Sequence, residues 1–237
     1  MPEVKPKVKL IAHTKNPEIT VAAAIRQCYS KFNAGDLTHK ITSEKAKELI
    51  KNVISAGHTS TIEHASFTFA IEGISRACSH ELVRHRIASY SQQSQRYVKP
   101  EDKFNYIVPP KIKNNKILLK KYLEHLKVVH HLYQELFDAQ IAPEDARFVL
   151  PNAIETKIVV TMNARSLLNF FQRRLCNRAQ WEIRTLAQEM RKAVMKVAPN
   201  IFKHAGPTCD TEKICWEGKM ACPKATAFKN IEIRERG

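Results

Sequence analysis

A chain of 237 residues with 43% apolar content can bury a substantial core, as one large domain or two small ones. No apolar run approaches the ~20 residues that a membrane-spanning helix needs, and the start MPEVKPKVKL has no signal-type apolar stretch, so a cytoplasmic protein without a membrane partner is expected. The formal charge of +16 suits nucleic-acid phosphates or small anionic ligands drawn to a basic surface, and no zinc-finger or RRM signature accompanies it.

In chain order, Val8 to Ala12 reads as a short strand and alanine-rich Val21 to Tyr29 as a helix. Thr42 is placed to cap a helix in which Ala46, Leu49, Ile50, Val53 and Ile54 form one buried stripe, with Gly57 ending it. Phe67, Phe69 and Ile71 alternate with Ser66, Thr68 and Ala70, and this period of two predicts a strand over Ala65 to Ile71. Residues 74–84 are expected to be helical. They lead into Arg84-His85-Arg86-Ile87-Ala88-Ser89-Tyr90-Ser91-Gln92-Gln93-Ser94-Gln95-Arg96-Tyr97, where neither helical nor strand periodicity can be read. That run reads as a loop presenting donors to something anionic and planar, because the guanidinium fork bonds phosphate or carboxylate bidentately and stacks on rings. A loop with Pro100, Pro109 and Pro110 follows.

Ile117 to Ala139 predicts a long amphipathic helix: Leu119, Tyr122, Leu123, Leu126, Val129, Leu132, Tyr133, Leu136 and Phe137 recur at intervals of three and four. His125, His130 and His131 fall largely off that stripe. Adjacent helical residues diverge by ~100°, so His130-His131 reads as a solvated face rather than a metal pair. Ala146 to Pro151 ends a second helical stretch, and β-branched Ile158 to Met162 is a strand candidate. After Asn163 to Arg174 a break is expected, since Asn177-Arg178-Ala179-Gln180 has the form of a capping box. The helix it opens would bury Ile183, Leu186, Ala187, Met190 and Val194 and stop before Pro199. Arg165 and Asn169 share a helical face, whereas Arg174 lies ~140° from Asn169 on an unbroken helix. An interruption is therefore expected if Arg174 is to reach the same ligand.

The tail from Gly206 carries Cys209, Cys215 and Cys222, with His204 nearby. Its gaps of six and seven fit the paired C-x₂₋₄-C spacing of zinc poorly, so no metal is expected. Residues 1–203 read as a single domain and 204–237 as a cysteine-containing C-terminal tail. Cys28, Cys78 and Cys176 are isolated, and nothing indicates a secreted disulfide framework. The six glycines, at 35, 57, 73, 206, 218 and 237, allow neither G-x-G-x-x-G nor a P-loop. Any nucleotide must be held mainly by side chains.

These elements resemble flavin-dependent thymidylate synthase. The family signature, R-H-R followed by seven residues and a serine, is present as Arg84-His85-Arg86 … Ser94. Gly57-His58 through Glu63-His64, Arg147 ahead of Leu150-Pro151, Asn163-Ala164-Arg165-Ser166-Leu167, and Arg174 followed by Ala179-Gln180-Trp181-Glu182 match in the family's order, over roughly residues 57–183. The resemblance implies an α+β (α/β-type) subunit, a central mainly antiparallel sheet flanked by helices, in a homotetramer with active sites shared between chains. It also implies FAD reduced by NADPH, methylenetetrahydrofolate as carbon donor, and dUMP methylated at C5 to dTMP. By resemblance, FAD is contacted by Ser60, Arg84, His85, Arg86, Gln92, Asn163, Ala164, Arg165 and Asn169. The dUMP site would comprise Glu81, Leu82, Val83, Arg84, Gln92, Gln93, Ser94, Gln95, Arg96, Arg147 and Arg174, with Arg174 activating the pyrimidine. Glu81 stands where members commonly carry glutamine and is expected to face the ribose. A nucleic-acid-binding protein using residues 84–97 on phosphates is the competing reading.

Overall fold

The structure is a computed structural model that describes residues 2–98, 104–227 and 230–235. Pro100 of the expected loop lies outside them. Strand β1 (Lys7–His13) is followed by α1 (Pro17–Gln27), α2 (Ser43–Ser55), β2 (Ser66–Ser75), α3 (Arg76–Leu82) and β3 (Ser89–Gln92). Then come α4 (Pro110–Lys113), α5 (Lys116–Asp138), α6 (Pro143–Ala146), β4 (Glu155–Asn163), α7 (Ala164–Arg174) and α8 (Trp181–Met195). The chain closes through α9 (Pro199–Phe202), α10 (Thr208–Thr211), β5 (Ile214–Cys215), α11 (Pro223–Ala227) and β6 (Glu232–Ile233). Strands β1 to β4 form one mainly antiparallel sheet of order β1-β2-β4-β3 flanked by helices, the α+β class the sequence led us to expect.

The chain gathers into two compact units, Met1–Lys7 with Ala70–Arg84 and Tyr90–Val159, and Val8–Phe69 with His85–Ser89 and Val160–Gly237. In the first, Phe104, Val129 and Ile154 form one apolar cluster, with Leu150 against it. Tyr106, Val108 and Leu126 form another, under Leu119, Tyr122 and Leu123. Helix α5 starts where Asn115 accepts hydrogen bonds from the Ile117 and Leu118 amides, a side-chain N-cap. Glu155 fastens two segments by accepting from the Gly73 amide at 2.7 Å and from Asn105 Nδ2 at 2.6 Å.

In the second unit, Thr42 caps α2 by accepting from the Lys45 amide, and Gly57 follows the helix with φ +75. Helix α8 buries the expected stripe completely: Ile183, Leu186, Ala187, Met190 and Val194 are all 0% exposed. An aromatic chain runs through the core. Phe67 meets Phe202 edge-on at 5.3 Å, Phe202 meets Phe171 at 5.9 Å, Phe171 meets Phe170 at 5.7 Å, and Phe170 meets the His85 ring at 4.9 Å. All but the tilted Phe170–Phe171 pair meet edge-to-face, a geometry that fixes ring orientation beyond simple area burial.

Three expectations are corrected. The run 84–97 is not all loop, because Ser89–Gln92 forms β3. Its alternation is carried by polar side chains: Tyr90 Oη donates to the Leu82 carbonyl, and Gln92 Nε2 donates to Ser79 and Thr156 hydroxyls, each at 2.9 Å. A search for apolar periodicity passes over such a strand. Helix α8 opens at Trp181 rather than just after Asn177, because the Gln180 side chain itself accepts from the Glu182 and Ile183 amides. By contrast, the break after Arg174 falls where it is expected, helix α7 running uninterrupted to that residue and ending there. In α5, Leu132 is 41% exposed, and His130 is half-buried with its ring 5.0 Å from Phe104 rather than on a solvated face.

Candidate functional site

Within the second unit, two segments bring the signature histidine and the last arginine of α7 together. Residues 85–89 belong to this unit although their sequence neighbours do not. Asn163 starts α7 by accepting from the Ser166 amide at 2.9 Å, and the Ala164 amide donates to the Ala65 carbonyl at 2.8 Å. Phe170 and Phe171, both 0% exposed, anchor the helix in the core, so its last turn arrives with a fixed rotation. Arg174 Nε then donates to His85 Nε2 at 3.0 Å. An imidazole nitrogen that accepts must carry its lone pair, so His85 is neutral with its proton on Nδ1. Burial, and then the charges of Arg174 and Arg173, hold its pKa down to about 4.

The other residues of α7 serve a different cavity. Asn163, Arg165 and Asn169 line a space of about 890 Å³ together with Lys51, Thr59 and His204. Arg165 Nη1 is paired with Glu63 Oε1 at 2.6 Å, and Asn169 Oδ1 accepts from Arg173 Nε at 3.1 Å. Arg173 and Arg174 instead line a space of about 610 Å³ with Arg178 and Trp216. The helical phase argument therefore holds: on an uninterrupted α7, Arg174 does not join Arg165 and Asn169 in one cavity. Among the expected flavin residues, exposed Ser60, exposed Arg86 and fully buried Ala164 do not line the larger space, although Thr59, next to Ser60, does.

Within the first unit, Arg96 and Arg147 meet around Glu144. Arg96 Nη2 pairs with its carboxylate at 2.8 Å, while Arg147 Nε donates to its backbone carbonyl at 3.0 Å. The Arg96 amide also donates to Ser94 Oγ at 3.1 Å, which closes the end of the signature on itself. Arg76 was not singled out in the sequence. Burial, followed by the charge of Arg147, lowers its pKa. The Gln92 amide nitrogen is committed to Ser79 and Thr156, and the Gln93 amide donates to the Lys157 carbonyl at 2.9 Å. Both glutamines are thus tied into the unit. Leu82 is fully buried, Val83 and Arg84 are exposed, and Glu81 and Gln95 are half-buried.

Sequence reasoning missed Arg76, Glu144, Lys51 and Lys203. Glu144 and the two lysines stand in ordinary surface-like contexts where charge is common. The only available cue for Arg76 was its place at the start of a helix, where a cation is disfavoured by the dipole.

The fold has a solved counterpart. A UMP/dUMP methylase from Streptomyces cacaoi, in a crystal structure with bound 5-Br dUMP, superposes with a TM-score of 0.74 at 24% identity, over 85% of this chain and 94% of that one. The two proteins share an architecture. Residues 9–200 match the family described as thymidylate synthase complementing protein. A flavin-dependent thymidylate synthase of Clostridium tetani is 48% identical over 243 residues, covering 96% of this chain and 97% of the relative. That of Geobacter sulfurreducens is 50% identical over 226 residues, covering 95% and 97%. The chain belongs to the flavin-dependent thymidylate synthase family.

Proposed function

We propose that this chain methylates dUMP at C5 to give dTMP, with FAD as cofactor, NADPH as reductant and methylenetetrahydrofolate as carbon donor. It would work in the cytoplasm as a homotetramer with shared active sites, residues 1–203 forming the catalytic body and 204–237 an appended tail. The observation that carries this reading is the contact between Arg174 and the His85 of the family signature.

The residues fit a flavin. The cavity of about 890 Å³ offers Ile54, Leu168 and Ile201 for an apolar ring and Lys51, Arg165 and Lys203 for phosphate charge. Pockets of this size and mixture take ligands of cofactor class. Bound there, the flavin would supply a hydride. The chain's own part is to bind and orient: Arg165 and Asn169 from one face of α7, with Ser60, Arg84, His85, Arg86, Gln92, Asn163 and Ala164 completing the assignment. Lys51, Lys203 and His204 extend it on the strength of the cavity lining.

For dUMP, Arg96 and Arg147 would take the phosphate, with Glu81 to Arg84 and Gln92 to Gln95 around the sugar and base. Glu144 holds Arg96 through its carboxylate, and the nucleotide phosphate would displace it. C5 of uracil is a poor nucleophile until electron density is moved onto it. Cysteine-dependent thymidylate synthases add a thiolate to C6. The signature here contains no cysteine, and burial pushes the thiol of Cys176, the cysteine next after Arg174, above its usual range. Activation therefore falls to the Arg174 guanidinium, which stabilises negative charge on the ring as a preorganised donor. Neutral His85 holds that guanidinium through Nε without competing for its charge.

The test is direct. Purified protein should be yellow with flavin absorbance and should convert dUMP to dTMP when supplied with NADPH and methylenetetrahydrofolate. A colourless protein that fails to bind added FAD and forms no dTMP overturns the proposal.

A further inference from the structure

Four of the six cysteines converge on one small cavity. Cys176 follows α7, Cys209 lies in α10, Cys215 in β5, and Cys222 directly before α11; all four line a small space of about 20 Å³. Cys209 and Cys215 are only 7% and 6% exposed, and none of the four is in a disulfide. Two of the sulfurs, those of Cys176 and Cys222, receive N–H groups. The Arg178 amide donates to Cys176 Sγ at 3.4 Å, and Asn177 Nδ2 donates to Cys222 Sγ at 3.8 Å. Donors aimed at sulfur favour the thiolate, which is the form that binds metal.

A second observation points the same way. The segment's core consists of Cys209, Cys215 and Ala225, with Ala221, Cys222 and Ile231 packed against it. Among the described residues, its sheet pairs two residues of β5 with two of β6, Ile214 with Glu232 and Cys215 with Ile233. Thiols and methyl groups bury little area at ~25 cal/mol per Å², while ordering each residue costs about 1–2 kcal/mol. Structures this small are ordinarily held by a cross-link or a metal.

We propose that Cys176, Cys209, Cys215 and Cys222 together hold a thiophilic metal centre through four thiolates, as a zinc ion or an iron–sulfur cluster. Among the described residues no three His, Cys, Asp or Glu side chains already stand in the geometry of a held ion. The thiols therefore lose their protons and draw in as the centre forms, so binding is coupled to ordering of the segment. The spacing in the sequence hides the site because one ligand, Cys176, comes from the far side of α8. Cys176 lies two residues beyond Arg174, and Arg174, Arg178, Cys176, Cys209 and Cys215 border a common cavity. The centre would therefore position the end of α7. That consequence rests on the function proposed above, whereas the centre itself does not.

The full chain, purified without oxygen, is to be analysed for zinc, iron and acid-labile sulfide. Chelator-stripped samples are then reloaded with Zn²⁺ alone, with Co²⁺ alone, or with Fe²⁺ and sulfide. The expected result is a stoichiometric centre in either the zinc and cobalt arms or the iron–sulfide arm, with thiolate-to-cobalt charge-transfer absorption in the former. Cys222→Ser, at a half-exposed position, should retain the metal at least about tenfold less well, and Cys28→Ser, exposed and away from the cavity, should retain it fully. Circular dichroism of the Cys222 variant checks that it still folds, and fluorescence from Trp216 reports on the segment. No stoichiometric metal in any arm, or equal retention by Cys222→Ser and the parent chain, overturns the proposal. Measuring dTMP formation on the same samples keeps the two proposals apart, since an inactive chain that binds metal fails only the first.

Discussion

Arg174 Nε donates to His85 Nε2 across 3.0 Å, so the last residue of α7 and the middle residue of the R-H-R signature form one hydrogen-bonded pair in which only the arginine is charged. His85 can accept only while unprotonated, and burial with two neighbouring guanidiniums keeps it so down to about pH 4. The linkage has a definite sign. In the unfolded chain the imidazole returns to an ordinary pKa near ~6.5, so below that pH the unfolded state takes up a proton that the folded state refuses. The stability tied to His85 is therefore intact above ~6.5 and is lost progressively as pH falls to about 4. His85→Gln removes the titration, so the parent chain should lose stability relative to this variant across that window. Denaturant melts of both proteins at several pH values measure the difference, and a constant difference contradicts the assignment.

Arg174→Ala should bind flavin and oxidise NADPH at close to the parental rate, while dTMP formation falls by about 100-fold or more, the usual effect of removing a preorganised charge-stabilising donor. Arg174→Lys should recover little, because an ammonium lacks the planar fork that reaches His85 and a ligand together. Full methylation by the alanine variant would remove Arg174 from the chemistry. Parallel assays of NADPH oxidation and dTMP separate the two half-reactions.

Arg165→Ala distinguishes a binding residue from a structural one. Its ion pair with Glu63 joins side chains that are 55% and 40% exposed, and such pairs contribute at most about 1 kcal/mol. The variant should therefore unfold nearly as the parent does. A charge-assisted hydrogen bond to a ligand phosphate is worth ~1.5–3 kcal/mol, so FAD affinity should drop by about tenfold or more. Reconstitution of the stripped protein with FAD, followed by fluorescence quenching, gives that number.

Apolar spacing carried much of the fold. The alternation of Phe67, Phe69 and Ile71 and the stripe of α8 are visible because burial and periodicity coincide there. Strand β3 escaped because its inward residues, Tyr90 and Gln92, are held by hydrogen bonds rather than by apolar contact. The arginines of the site were legible through the family motif, yet their partners were not. Nothing local to His85 announces that Arg174 lies beside it, nor does Glu144 announce that it gathers Arg96 and Arg147. Long-range pairing is decided by the packing of Phe170 and Phe171 and the phase of α7, which no short spacing encodes.

Gly73 and Gly57 offer a controlled comparison of two costs that are usually confounded. Both have positive φ, +72 and +75, where any side chain is strained by about 1–2 kcal/mol. A Cβ at Gly57 would meet nothing within 4 Å, whereas at Gly73 it would fall on the Lys5 carbonyl. The Gly73 amide also donates to Glu155 at 2.7 Å, so the backbone cannot retreat without breaking that bond. Gly57→Ala should therefore cost only the strain, about 1 kcal/mol. Gly73→Ala should cost more than ~2 kcal/mol through clash and a weakened, partly buried hydrogen bond. Urea melts of the two variants measure both values, and equal destabilisation would show that the close approach of Lys5 to Gly73 does not constrain the folded chain.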